Sequence, residues 1–175
     1  MRGLRVKLAI GVAVLGAVVV AAAATAGDHA RLDTRLSGYE EVPAISTDAG
    51  GTFRAAIMRG GDAIAYELRY DDLTGAVRQA HIHLGQRGVN GGITAFLCSN
   101  LGNGPAGTQA CPPPPARITG TITADQVVGL PAQGIDAREL DELVDALRAG
   151  VAYANVHSET FQNGEIRGQI GGDRR

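Results

Sequence analysis

From about residue 34 onward, apolar side chains recur mostly at every second position. The runs are short and fenced by Gly, Asn, Asp or Pro, which is the pattern of half-buried antiparallel strands. It predicts strands near 34–39, 51–58, 63–70, 78–84, 93–98, 117–122, 151–157 and 165–170. Gly60-Gly61-Asp62 joins the second strand to the third, and Asn163-Gly164 precedes the last; both supply the positive φ that tight turns need. Alternation sets Phe53, Ala55 and Ile57 against Ile64, Tyr66, Leu68 and Tyr70 inside, and sends Arg54, Glu67 and Arg69 to water. One segment changes period. Leu140, Leu143, Val144 and Leu147 fall at helical spacing, with Glu139, Asp141, Glu142, Asp145 and Arg148 on the other side. Asp136 with Glu139 resembles a capping box and Gly150 is a C-terminal stop, bounding an amphipathic helix of about four turns. A shorter turn begins at Thr123, with Gln126 three residues on, and ends by Gly129 and Pro131. Many short strands with one helical crossover predict a mostly β fold: a Greek-key antiparallel β-sandwich or barrel of about eight strands.

The N-terminus follows a different rule. Arg2, Arg5 and Lys7 precede an uncharged apolar run from Leu8 to Ala24, and small residues follow at Ala24-Thr25-Ala26. That is the layout of a secretory signal peptide, residues 1–26, cut after Ala26, with a single β domain over 27–175. An uncut membrane anchor is the alternative, since the run approaches the roughly 20 residues a bilayer requires. Cleavage leaves no membrane span and places the domain in a secreted, periplasmic or extracellular setting.

Without Arg2, Arg5 and Lys7 the 16 basic residues fall to 13 against 18 acids, a formal charge of 13 − 18 = −5. The arginines form no run and no aromatic series accompanies them, which argues against a nucleic-acid partner. The chain has two cysteines, Cys98 and Cys111, and export would put them where a neighbouring pair closes into a disulfide. That bond would restrain the Ser-, Gly- and Pro-rich excursion between them. A thiolate metal site would need more sulfur or a histidine close in sequence.

The richest chemistry lies at Ala80-His81-Ile82-His83-Leu84. Strand geometry sends His81 and His83 to one face and the apolar residues to the other. Tyr153, Asn155 and His157 likewise share a face opposite Ala152, Ala154 and Val156. Glu165, Arg167 and Gln169 do so opposite Ile166, Gly168 and Ile170. A polar sheet face is being assembled. Together with Leu36-Ser37-Gly38-Tyr39-Glu40-Glu41-Val42-Pro43, the segments Ala80-His81-Ile82-His83, Asn155-Val156-His157 and Gly164-Glu165-Ile166-Arg167-Gly168-Gln169 resemble the CHRD (chordin) domain family in order and spacing over essentially the whole mature chain. The resemblance implies a β-rich extracellular domain, found in chordin, a secreted binder of growth factors, and free-standing in exported bacterial proteins. It implies no known reaction, and the expected partner of such a domain is an extracellular protein or glycan. The excursion between Cys98 and Cys111 and the helix before Val151 depart from it as local elaborations.

Two functional readings stay open. One is a non-catalytic binding domain. The other is a metal centre of His81, His83 and His157, in which neutral imidazoles present three nitrogens to Zn²⁺ or Cu²⁺ and leave one position free, with redox chemistry as an extension. In the first, the histidines only hydrogen-bond Asn155, Glu165 and Arg167 and hold the register of the sheet. An HxH strand in a Greek-key domain also resembles copper-zinc superoxide dismutase, but that family uses more histidines than the four present here, one of which is His29. Cleavage after Ala26 would further expose Gly27-Asp28-His29, whose amine, two amide nitrogens and imidazole suit square-planar Cu²⁺ or Ni²⁺; a histidine placed third in a tail by chance is the plainer account. No serine elbow, phosphate loop or cysteine nucleophile offers covalent catalysis. Tyr39, Glu40 and Glu41 read as the end of the first strand, where Pro43 cannot continue the ladder.

Overall fold

The computed structural model describes residues 31–172; the basic-apolar leader and Gly27-Asp28-His29 lie outside the described residues. Eight strands carry the fold. They are β1 (Arg31–Ser37), β2 (Gly50–Ile57), β3 (Ile64–Asp71), β4 (Val77–Leu84), β5 (Gly92–Ser99), β6 (Ala116–Ile122), β7 (Ala152–Ser158) and β8 (Ile166–Gln169). A two-residue strand, β9 (Gly171–Gly172), adds to β1. The pairings are antiparallel and run in the order β5-β4-β7-β8-β1-β2-β3-β6, so the sheet is nearly a closed barrel.

The two ends of that path, β5 and β6, are stitched without a ladder. Tyr66 on β3 donates its hydroxyl to the Leu97 carbonyl at 2.7 Å, and Ala95 forms an isolated bridge with Val127. Gln109 spans the gap: its carbonyl accepts from Ser99 N at 2.9 Å and its side chain donates to the Thr119 carbonyl at 3.1 Å. Cys98 and Cys111 form a disulfide, so the excursion that carries Gln109 is tethered at the seam.

Alternation places Phe53, Ala55 and Ile57 inside against Ile64, Tyr66, Leu68 and Tyr70, and all are buried. The Phe53 and Tyr66 rings stack at 6.4 Å. Helix α1 (Leu140–Ala149) buries Leu143, Val144 and Leu147 in the same core and packs on β7 and β9. Gly150 ends it at φ 71, its N–H returning to the Ala146 and Leu147 carbonyls.

Two boundaries differ from expectation. The helix has 10 residues and starts at Leu140, because Arg138 at φ 77 interrupts the helical path; Asp136 and Glu139 still meet, through the Asp136 N–H to the Glu139 carboxylate at 2.7 Å and the Glu139 N–H to the Asp136 carbonyl at 3.2 Å. The first strand ends at Ser37 instead of Tyr39. Residues Gly38–Glu40 turn as a 3-10 helix that leaves Tyr39 74% exposed and swings Glu41 inward. The Thr123–Gln126 turn is present, with a capping box in which the two side chains serve each other's backbone.

Candidate metal centre

Three strands build the polar face. On β4 the inward residues Ala80 and Ile82 are buried in the core, so His81 and His83 project from the opposite side. The pairing sets His81 opposite Asn155 and His83 opposite Tyr153 on β7, and brings His157 diagonally beside His81. Asn155 in turn faces Arg167 on β8. Against β5, β4 shifts register at Ala80/His81 and again at Ile82/His83, which places Phe96 opposite His81.

The three imidazoles meet although His157 lies 76 residues from His81. Ring centroids are 4.9 Å apart for His81 and His157, 5.4 Å for His81 and His83, and 6.1 Å for His83 and His157. One nitrogen from each falls within 4.8 Å of the others. Exposure is 0% for His81, 7% for His83 and 6% for His157, so this outer face is covered.

Backbone carbonyls determine which nitrogens are bare. His83 Nδ1 lies 3.0 Å from the Gly91 carbonyl and His157 Nδ1 lies 3.0 Å from that of Gln162. A carbonyl only accepts, so each Nδ1 carries the proton and each Nε2 a lone pair. His81 Nδ1 is 3.1 Å from His157 Nε2 and therefore donates to it, leaving His81 Nε2 bare as well. The Nε2 atoms of His81 and His83 are buried without a partner. Burial holds the rings neutral. It lowers His81 to about 2, helped by His157 and His83, and His83 to about 4, helped by His157 and Arg167 against the Gly91 bond. His157 is lowered by burial in the same way.

Asn155, Glu165 and Arg167 share the region but spend their hydrogen bonds on loops. Arg167, 2% exposed, donates to Asn90 Oδ1 at 3.1 Å and to the Val89 carbonyl at 2.7 Å, clamping the 85–91 loop. Its guanidinium sits 3.4 Å over the Tyr153 ring, whose other neighbour is His83, stacked at 4.7 Å and 5°. Glu165 accepts from Thr47 Oγ1 at 2.8 Å and Thr74 N at 2.9 Å. Burial would raise its carboxyl, but bonds from Ser158, Thr74 and Thr47 hold it below the usual range. Asn155 donates to Glu41 and to the Ile166 carbonyl at 3.1 Å.

A family model described as CHRD domain matches residues 32–170. The chain belongs to the CHRD domain family. No curated protein and no solved structure matches it. Within this CHRD domain several residues at the site escape a reading by motif. Alternation puts Tyr153 on this face, but nothing in its spacing marks it as the plate between His83 and Arg167. Glu41 looked like a strand end; the 3-10 turn buries it, and burial pushes its carboxyl up to about 7 despite the Asn155 bond and nearby Arg167. Gly164, at φ 127, is required there because a Cβ would come within 2.6 Å of Glu41 Oε1 and 2.7 Å of the Asn155 amide. Beside it a cleft of about 230 Å³, lined by Glu41, Pro43, Phe161, Gln162 and Gly164, has room for several waters at roughly 30 Å³ each.

Proposed function

We propose that this CHRD domain is an exported, non-catalytic binding domain whose ligand is a transition-metal ion held by His81, His83 and His157. One observation carries the reading: two buried ring nitrogens, His81 Nε2 and His83 Nε2, have no partner in a cluster of three neutral imidazoles, and the third, His157 Nε2, joins them by exchanging the bond it accepts from His81 Nδ1 for the ion. A buried acceptor without a donor costs about 1–3 kcal/mol, and a shared cation relieves it. The Nδ1–H bonds of His83 and His157 to backbone carbonyls support it further, because metal-ligating histidines characteristically donate their other nitrogen to such a group. Imidazole donors suit copper and zinc. Export draws on the basic-apolar leader, on the closed disulfide and on family membership. Among the described residues no helix is long and apolar enough to cross a membrane.

The test is metal analysis of tag-free protein purified without chelators, followed by titration of the stripped protein. The expected result is one equivalent of copper or zinc, lost in His83→Ala and in His157→Ala while both variants keep the wild-type circular dichroism. Protein that carries no metal and binds neither ion below millimolar concentration ends the proposal.

A further inference from the structure

We propose that the centre takes monovalent copper, Cu(I), in preference to Zn²⁺, an inference that rests on the metal reading above. Coordination number argues first. Among the described residues the cluster of metal-ligating side chains at this face is His81, His83 and His157, and it contains no carboxylate or sulfur. Zn²⁺ is held almost always in a tetrahedron, so three nitrogens leave it needing a water or anion. A bound water in turn needs polar partners of its own. The groups packed on the rings present carbon instead: Phe96 lies edge-on to His81 at 4.5 Å, and Tyr153 covers His83 face to face at 4.7 Å. The nearby carbonyls of Gly91 and Gln162 already accept from the rings. A d¹⁰ monovalent ion is content with three neutral nitrogens in a plane and requires no such water.

Charge argues in the same direction. The three rings are neutral, and the charged side chains that act on them are cations: Arg167 on His83, one ring away across Tyr153, and Arg78 on His157. The carboxylates of the region are turned elsewhere. Glu41 is bonded to Asn155, and Glu165 to Thr47 and Thr74. A divalent ion would therefore sit buried without a counter-charge and beside an arginine. The desolvation cost of an ion grows with the square of its charge, so doubling the charge raises that cost roughly fourfold. Cu²⁺ shares this penalty and also favours a tetragonal set of donors, of which three are present.

The experiment is an anaerobic competition on tag-free, metal-stripped protein carrying His29→Ala, so that Gly27-Asp28 and residue 29 take no copper. Cu(I) is supplied as its bicinchoninate complex, and loss of the complex's absorbance reports transfer to the protein. Zn²⁺ is titrated separately against a chromophoric zinc indicator, and then added in tenfold excess to the Cu(I)-loaded protein. The expected result is uptake of one equivalent of Cu(I) that tenfold Zn²⁺ does not displace. One equivalent of Zn²⁺ that displaces Cu(I) overturns the preference for monovalent copper and leaves the metal reading intact. Failure to take up either ion overturns both.

Discussion

At the scale of single residues, Glu41 shows how burial sets chemistry. The 3-10 turn at Gly38–Glu40 brings it under Asn155, and its carboxyl is pushed by burial from 4.5 up to about 7. The folded state therefore holds a proton that the unfolded chain has released. Glu41's contribution to stability is fully present below pH 4.5 and is lost as pH rises through about 7. The histidines act with the opposite sign. Their folded values lie below the ordinary 6.5, so their contribution is present above that value and declines as pH falls. A difference measurement separates the two. Glu41→Gln keeps an acceptor for the Asn155 amide and removes the titration. Urea unfolding of metal-free wild type and variant should therefore diverge between pH 4 and pH 8, with the wild type losing on the order of 3 kcal/mol relative to Glu41→Gln. A pH-independent difference would show that Glu41 does not carry this proton.

At the scale of elements, the clustered histidines are positioned by loops that strands alone do not specify. The 85–91 loop holds His83 through the Gly91 carbonyl, and Arg167 on β8 holds that loop through Asn90, Val89 and the Gln86 carbonyl at 3.4 Å. Tyr153 ties the same turn, accepting from Gly91 N at 3.1 Å. Arg167 therefore positions His83, and under the proposed function it would do so without touching the ion. Arg167→Gln should lower metal affinity by roughly 10–100-fold, the range for loss of an outer partner, and should speed amide exchange across residues 85–91. Unchanged affinity together with faster exchange would mean that His83 is held by its stacking on Tyr153 and not by the loop. The helix teaches a related lesson: its apolar spacing was correct, but Arg138 at φ 77 cuts off the turn that Asp136 and Glu139 advertise.

At the scale of the whole molecule, the barrel has one weak seam, between β5 and β6. It is closed by the segment that the cysteines tether: Gln109 bonds to Ser99 on one side and Thr119 on the other, and Asn100 receives the Cys111 N–H at 2.9 Å. The disulfide spans a sequence separation of 13, for which loop closure is worth about 3 kcal/mol. Replacing both cysteines by alanine should lower the unfolding free energy by about that amount and expose the Ser99 amide, which donates to the Gln109 carbonyl across the seam, to exchange ahead of the other strands. Thermal and urea unfolding check the first expectation and hydrogen exchange the second; seam amides as protected as in the wild type would assign closure to Tyr66 and the Ala95–Val127 bridge instead.

Alternation is a local property, and by itself it determined most of the strands, the facing core residues, the shared face of His81 and His83 and the apolar stripe of α1. Successive side chains on a pleated strand must point to opposite sides wherever that strand lies. Residue type likewise paired the two cysteines. Tertiary structure alone decided that β7 lies between β4 and β8, which carries His157 across 76 residues of chain to the other two rings. It also decided which ring nitrogens are bare, because the Gly91 and Gln162 carbonyls that select the tautomers are groups every residue possesses and no sequence pattern marks. Strand order depends on how distant segments close around one core, and proton position depends on which backbone oxygen arrives; both are consequences of packing, not of spacing along the chain.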